Sequence, residues 1–272
     1  MGGEGLDFGH ASSADLREWT NLDRVRLTSQ HSSIDRMWSP HIVRIDDVWH
    51  MYFTGVELVE TPAQNIQRIY VSKSQDLVHW SEARLVLEPG GSGIAWGSGV
   101  DWANDCRDPM VFREGGKLKM LVTIRLVNGK QSLALAERLE NAEWEVVSVL
   151  ESIQGDVVES PFLYQSGGRF YLLINSWGDG GQSVWRSDRI GGEWLRVSHS
   201  LDGFAYELFN LGGPDILASR SGKNRSIRFT RARFWPLSFS KPIRVDPGSG
   251  GDPFLVCDEN LLRVRPPTYL PE

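Results

Sequence analysis

An arginine and an aspartate stand side by side ahead of a proline in Cys106-Arg107-Asp108-Pro109-Met110-Val111-Phe112. A turn at Gly115-Gly116 then leads into the apolar run Met120-Leu121-Val122-Thr123-Ile124. Two further stretches follow the same plan: Trp38-Ser39-Pro40-His41-Ile42-Val43, turning at Asp46-Asp47, and Glu159-Ser160-Pro161-Phe162-Leu163-Tyr164, turning at Gly167-Gly168. Two of the three openers carry a carboxylate, a side chain suited to positioned proton transfer. Proline is tolerated as the first residue of a strand, because its missing N–H need not join a ladder. Each stretch therefore reads as the entrance to a buried strand, where a rigid scaffold can hold side chains for chemistry. Asp108 and Glu159 are the leading candidates. The plainer alternatives are an Asp108 that caps a strand or pairs with Arg107, and a Glu159 satisfied at a turn.

The elements that would hold them are strands. No long segment has apolar residues at the helical period, and short apolar or alternating runs recur between Gly, Asp, Asn and Ser turns. The unit repeats: a proline-bearing opener, an aromatic-rich second strand such as Trp49–Thr54 or Phe170–Asn175, then a third strand closing on a tag that contains tryptophan. The tags are Ser13-Ala14-Asp15-Leu16-Arg17-Glu18-Trp19 and Ser74-Gln75-Asp76-Leu77-Val78-His79-Trp80, with weaker versions ending at Trp144 and Trp194. Successive tag tryptophans fall roughly 50–65 positions apart, the span of a four-stranded propeller blade. The tag aspartates are expected to accept turn N–H groups, and the tryptophans to pack between sheets. Units open at Trp38, Asp108 and Glu159, with a partial first unit and a degenerate last one near Ala205–Leu211. The expectation is an all-β, five-bladed β-propeller over 1–272 as a single domain, its first blade incomplete at the N-terminus. A terminal hairpin around Asp252-Pro253 could complete the first sheet.

Composition narrows the partners. The 272 residues are 40% hydrophobic and 24% charged, with net charge −6, which argues against nucleic acid or an anionic membrane surface as a partner. No apolar run approaches a membrane span. The N-terminal residues have neither the basic nor the apolar region of a signal peptide, and two cysteines are too few for a disulfide framework, so a cytoplasmic location is expected. No His/Cys cluster has metal-ligand spacing and no glycine-rich phosphate loop follows a strand, so no cofactor is expected. Oligomeric state is left open.

The motifs also carry a resemblance. Gly9-His10-Ala11-Ser12-Ser13-Ala14-Asp15-Leu16-Arg17-Glu18-Trp19 resembles the "GHA-S-DL-W" stretch of glycoside hydrolase family 32, Arg107-Asp108-Pro109 its RDP motif, and Glu159 lies in a stretch similar to its fourth-blade motif. Residues 37–55 are equally similar to a blade of glycoside hydrolase family 43. Both are five-bladed furanosidase-type propellers. The resemblance implies hydrolysis of a furanoside or similar glycosidic bond in a sugar or oligosaccharide. Glu159 would be the general acid, and Asp108 would bind sugar hydroxyls and stabilise the transition state, or tune that acid. Arg107 would keep Asp108 ionised or bond to sugar oxygens. Apart from the resemblance, Trp38, Ser39, His41 and His10 are candidate substrate contacts, although Trp38 and His41 could equally line the core between blades. Hydrolysis of this kind needs one carboxylic acid to protonate the departing oxygen and one carboxylate to attack or activate water.

One part of the pattern departs. These families place their nucleophile or base on the first strand of the first blade, ahead of the His10 stretch, and only nine residues precede His10. Asp7 lies too close to the third strand to replace it. Asp252 could refill the position; otherwise a longer chain or a partner subunit would supply the residue. A non-catalytic sugar-binding propeller is therefore the main alternative, with a protein-interaction platform and sialidase-like chemistry behind it. Trp96 and Trp102 could form a sugar-stacking wall, Glu207 could mark a fifth opener, and Cys106 reads as a small buried residue.

Overall fold

In a computed structural model the chain is described over residues 6–13, 19–29, 34–59, 65–96, 104–166, 168–176 and 181–201, and beyond 201 in the backbone of six strands. Among the described residues the structure is all-β, with no helix. A two-stranded sheet pairs β1 (Asp7–Ser12) with β2 (Thr20–Arg26). Three antiparallel four-stranded meanders follow. The first comprises β3 (Arg36–Ile45), β4 (Val48–Glu57), β5 (Ile66–Ser74) and β6 (Arg84–Leu87). The second comprises β7 (Cys106–Glu114), β8 (Lys117–Arg125), β9 (Gln131–Arg138) and β10 (Trp144–Gly155). The third comprises β11 (Glu159–Ser166), β12 (Arg169–Ser176), β13 (Gly181–Ser187) and β14 (Leu195–Leu201). A last sheet starts with β15 (Phe204–Phe209), β16 (Asp215–Arg220) and β17 (Ile227–Phe234), and continues into the short β18 (Leu237–Phe239), β19 (Ile243–Pro247) and β20 (Pro253–Leu255).

The sheets pack face to face because their strands alternate apolar residues on both faces. On β8, Met120, Val122 and Ile124 join Tyr52, Ile69 and Val71 of the preceding sheet. The intervening Leu121 joins Leu133, Leu163, Phe170, Leu172 and Ile174 towards the following sheet. Strands buried on both sides read as near-continuous hydrophobic runs rather than alternating ones, which explains the composition of these second strands. Phe8 and Val25 close the β1–β2 sheet onto Met37, Met51, Phe53 and Tyr70.

One close approach in this stack leaves no room for a side chain. A Cβ at Gly55 would lie 2.5 Å from Cε2 of Tyr70 and 3.2 Å from Cδ1 of Ile34. The Tyr70 ring is buried and stacked on Phe53 at 5.8 Å, so it has no free direction to move. Gly55→Ala is expected to cost about 1–3 kcal/mol of stability through overpacking. Thermal unfolding checks this; an unchanged melting temperature would contradict it.

The tags behave as their chemistry requires. The Asp76 carboxylate accepts the N–H groups of Val78 at 2.9 Å and His79 at 2.8 Å, and its other oxygen meets His79 Nδ1 at 2.7 Å. The His79 side chain, then these N–H groups, hold the Asp76 carboxyl far below the usual carboxylate range. Trp80 and Trp194 each donate from Nε1 to a carbonyl of their own tag, Leu77 at 3.1 Å and Ile190 at 3.0 Å. Trp144 is buried edge-on against Tyr52. Asp15 lies outside the described residues.

Candidate active site

The three proline openers differ from expectation in one informative way. The strands begin ahead of the proline, and the proline sits inside a bulge. Pairing with the second strand skips from Trp38 to His41, from Arg107 to Met110 and from Glu159 to Phe162, and again from Phe204 to Glu207 on the last sheet. The residue before each proline, and Ala205 at the matching place, has a left-handed backbone: φ is 49° at Ser39, 56° at Asp108, 52° at Ser160 and 49° at Ala205. Such residues cost on the order of 1–2 kcal/mol each. Bulges re-aim side chains beside functional sites, and strain of this kind persists only where the surroundings hold it.

What holds it is visible from sheet to sheet. A buried polar residue near the end of the second strand accepts the N–H of the next sheet's left-handed residue. Thr54 Oγ1 takes the Asp108 N–H at 3.0 Å, and Asn175 Oδ1 takes the Ala205 N–H at 3.3 Å. The third instance is different. The Ser160 N–H goes to Asp108 Oδ2 at 2.9 Å, and the buried Thr123 hydroxyl in the corresponding position has no hydrogen-bond partner among the described residues. Asp108 Oδ1 meanwhile accepts the Ser39 hydroxyl at 2.6 Å. The Asp108 carboxylate therefore pins three successive sheets at one end, and it is buried.

Arg107 organises the remaining charge. Its guanidinium contacts Asp105 Oδ1 at 3.1 Å, Gln131 Oε1 at 3.0 Å, Asp108 Oδ2 at 3.7 Å and Glu159 Oε2 at 3.6 Å. Burial works against its charge, but Asp105, Asp108 and Glu159 outweigh burial and raise its pKa, so it is a permanent cation. One guanidinium thus lies between the Asp108 and Glu159 carboxylates and faces both. Their exposure differs. The Asp108 side chain is 8% accessible and that of Glu159 27%, so Glu159 is the carboxylate that meets solvent.

Ser39 thus meets Asp108 directly, and the half-buried Trp38 lies across the strand pair from Thr54 at the same end. His41 is turned to the neighbouring sheet. Burial lowers its pKa against the opposing Val111 carbonyl, so the neutral ring donates from Nε2 to that carbonyl at 3.0 Å. His10 is half-buried on β1 opposite Leu22, and among the described residues no hydrogen bond ties it to Asp108 or Glu159. Asp7 pairs with Arg24 at 2.8 Å. Trp96 lies under the Arg68 guanidinium at 5.9 Å, packed on the core. Cys106 is fully buried, and burial pushes its thiol up, so it holds no thiolate. Trp102 and the side chains of Glu207 and Asp252 lie outside the described residues. Among the described residues no group of His, Cys, Asp or Glu side chains could hold a metal ion.

Residues 5–200 match the sequence model of glycosyl hydrolases family 43. The chain belongs to that family. No curated protein matches it. Among solved structures, the family 43 chain is similar to the sucrose-6-phosphate hydrolase of Lactobacillus gasseri, at 16% identity and a TM-score of 0.66 over 90% of this chain and 53% of that one. A family 32 β-fructofuranosidase of Bombyx mori aligns at 17% identity and a TM-score of 0.61, over 86% of this chain and 56% of that one. An α-L-arabinanase variant of Cellvibrio cellulosa aligns at 16% and 0.59, over 93% and 88%. The chain thus spans about half the length of the two sucrose-type hydrolases, and likeness at this identity bears on the fold.

Two residues of this cluster, Asp105 and Gln131, fall outside those that the sequence motifs single out. Asp105 accepts from Arg125, at 2.7 Å, and from the Gln131 amide at 2.8 Å, besides pairing with Arg107. It stands two residues before an arginine already followed by Asp108, and that double flanking was a legible sign of a shared cation. Gln131 had no such sign. It is a lone amide after the turn at Asn128-Gly129, and only the fold shows that it is buried.

Proposed function

We propose that the chain is a single five-bladed β-propeller domain with an incomplete first blade, and that it hydrolyses a glycosidic bond of a furanoside or similar sugar unit. Glu159 is the general acid. Asp108 serves it from behind, holding the left-handed Ser160 and the Arg107 charge in place. Ser39 orients Asp108, and Trp38 offers an aromatic face to the sugar. The observation that carries this reading is the sharing of one buried guanidinium by a closed carboxylate and an open one. In a pair of that kind, one member can donate a proton to a departing oxygen while the other fixes its surroundings. Membership of family 43 supports the reaction class. The names of the similar structures, which include fructofuranosidase and arabinanase activities, support a furanoside substrate.

The attacking or water-activating carboxylate is not assigned. Asp105 is near, but its oxygens are already taken by Arg107, Arg125 and Gln131. That occupancy favours, as a second reading, a propeller that binds sugar without turning it over. Sugar release from arabinofuranosides, fructofuranosides and xylosides, measured beside calorimetric binding of the same compounds, separates the two. Release that is lost in Glu159→Gln supports hydrolysis. Binding without release supports the second reading, and neither binding nor release removes both.

A further inference from the structure

Arg107 makes two short contacts and two long ones. The short ones, 3.1 Å and 3.0 Å, go to Asp105 and Gln131. The long ones, 3.7 Å and 3.6 Å, go to Asp108 and Glu159, beyond the range of a good hydrogen bond. The close partners are thus the two outside the proposed reaction. Gln131 Nε2 also donates to Asp105 Oδ2 at 2.8 Å, and its Oε1 accepts the Val158 N–H at 3.0 Å, one residue before Glu159. Its partners fix the orientation of the amide, since a guanidinium and a backbone N–H only donate and an ionised carboxylate only accepts. One buried side chain therefore ties the guanidinium, its counter-ion and the entrance of the strand that carries Glu159.

We infer that Gln131 is a positioning residue: with Asp105 it holds the Arg107 guanidinium back from Glu159, so that the acid does not close a salt bridge. This rests on the reading of Glu159 as proton donor. Gln131 and Glu159 face the same guanidinium nitrogen, Nη2. Remove the amide, and that nitrogen loses its short acceptor while still facing Glu159. A hydrogen-bonded arginine–carboxylate pair favours the ionised carboxylate and withdraws the proton that a leaving group needs. The guanidinium that faces Glu159 stands beside Asp108 of β7 and Asp105 ahead of β7, with Arg125 of β8 behind Asp105. On β12 the residue paired with Glu159 is Asn175, which carries no charge.

The test is Gln131→Met, which keeps the length of the side chain and removes both its hydrogen-bonding atoms. The Glu159 carboxyl carbon is followed by NMR across pH, its signal identified by its loss in Glu159→Gln. The midpoint of that titration is expected to fall by about one pH unit relative to wild type, with the alkaline limb of any hydrolysis falling in parallel. A folded Gln131→Met protein with a lower melting temperature and an unchanged midpoint would overturn the inference. If that variant does not fold, Gln131→Asn withdraws the amide by one methylene. A smaller fall in the same direction is then expected, and no fall overturns the inference equally. The titration needs no substrate, so a wild-type protein that hydrolyses nothing would sink the proposed function while still reporting on the tether.

Discussion

Glu159→Gln is expected to lower kcat/KM by roughly 10²–10⁴-fold on glycosides whose leaving group is another sugar, the range that a positioned proton donor supplies. The loss should depend on the leaving group. A sugar alkoxide cannot depart without a proton, whereas a nitrophenolate departs nearly unaided, so turnover of nitrophenyl glycosides should fall far less. The fold should barely notice, because the Glu159 side chain is more than a quarter exposed and glutamine can still face Arg107. Steady-state kinetics over a series of leaving groups makes the check. Equal losses across the series would assign Glu159 to binding, and unchanged turnover would remove it from the mechanism.

Arg107→Met is expected to be the most damaging single change to stability. It removes the cation beside Asp108 and leaves Asp105 with Arg125 and the Gln131 amide, at a site where the Arg107 side chain is 10% accessible. Removing one partner from a buried ion network costs about 3–5 kcal/mol, because the remaining charge is left uncompensated. In wild type the raised pKa of Arg107 keeps its contribution constant through neutral pH, to be lost only when strongly alkaline conditions discharge the group. In the variant the deficit should shrink as the pH falls towards about 4, where protonation relieves the stranded carboxylates. Denaturant unfolding at pH 7 and at pH 4 measures both. A deficit below about 1 kcal/mol, or one that grows on acidification, would contradict the network as described.

Much of this was legible because backbone punctuation is local. Proline openers, paired turns and tryptophan tags announce sheets and their repeat, and the tag tryptophans turn out to bond within their own turns, at Trp80 and Trp194. The Arg107-Asp108 pair was legible as a residue pair, and so was the matching position of Glu159. What the residues do not announce is the bulge. Serine and alanine carry no mark of a left-handed backbone and aspartate only a weak one, so little in Ser39, Asp108 or Ser160 signals that each is the strained residue of its strand. Nor does the sequence say that Asp108 has taken over the bond that Thr123 would otherwise accept. The direction of His41 escaped for the same reason, since a side chain that crosses between sheets is fixed by their spacing and not by its neighbours in the chain.

A crystal structure of the Glu159→Gln protein with a furanose-containing disaccharide bound would test the central claim most directly. The account predicts the sugar at the end of the sheets where Ser39, Asp108 and Ser160 meet. Its glycosidic oxygen should lie within hydrogen-bonding distance of the residue 159 amide, and Asp108 should still be bonded to Ser39 and Ser160. A disaccharide seated elsewhere on the molecule, or one whose glycosidic oxygen is out of reach of residue 159, would contradict it.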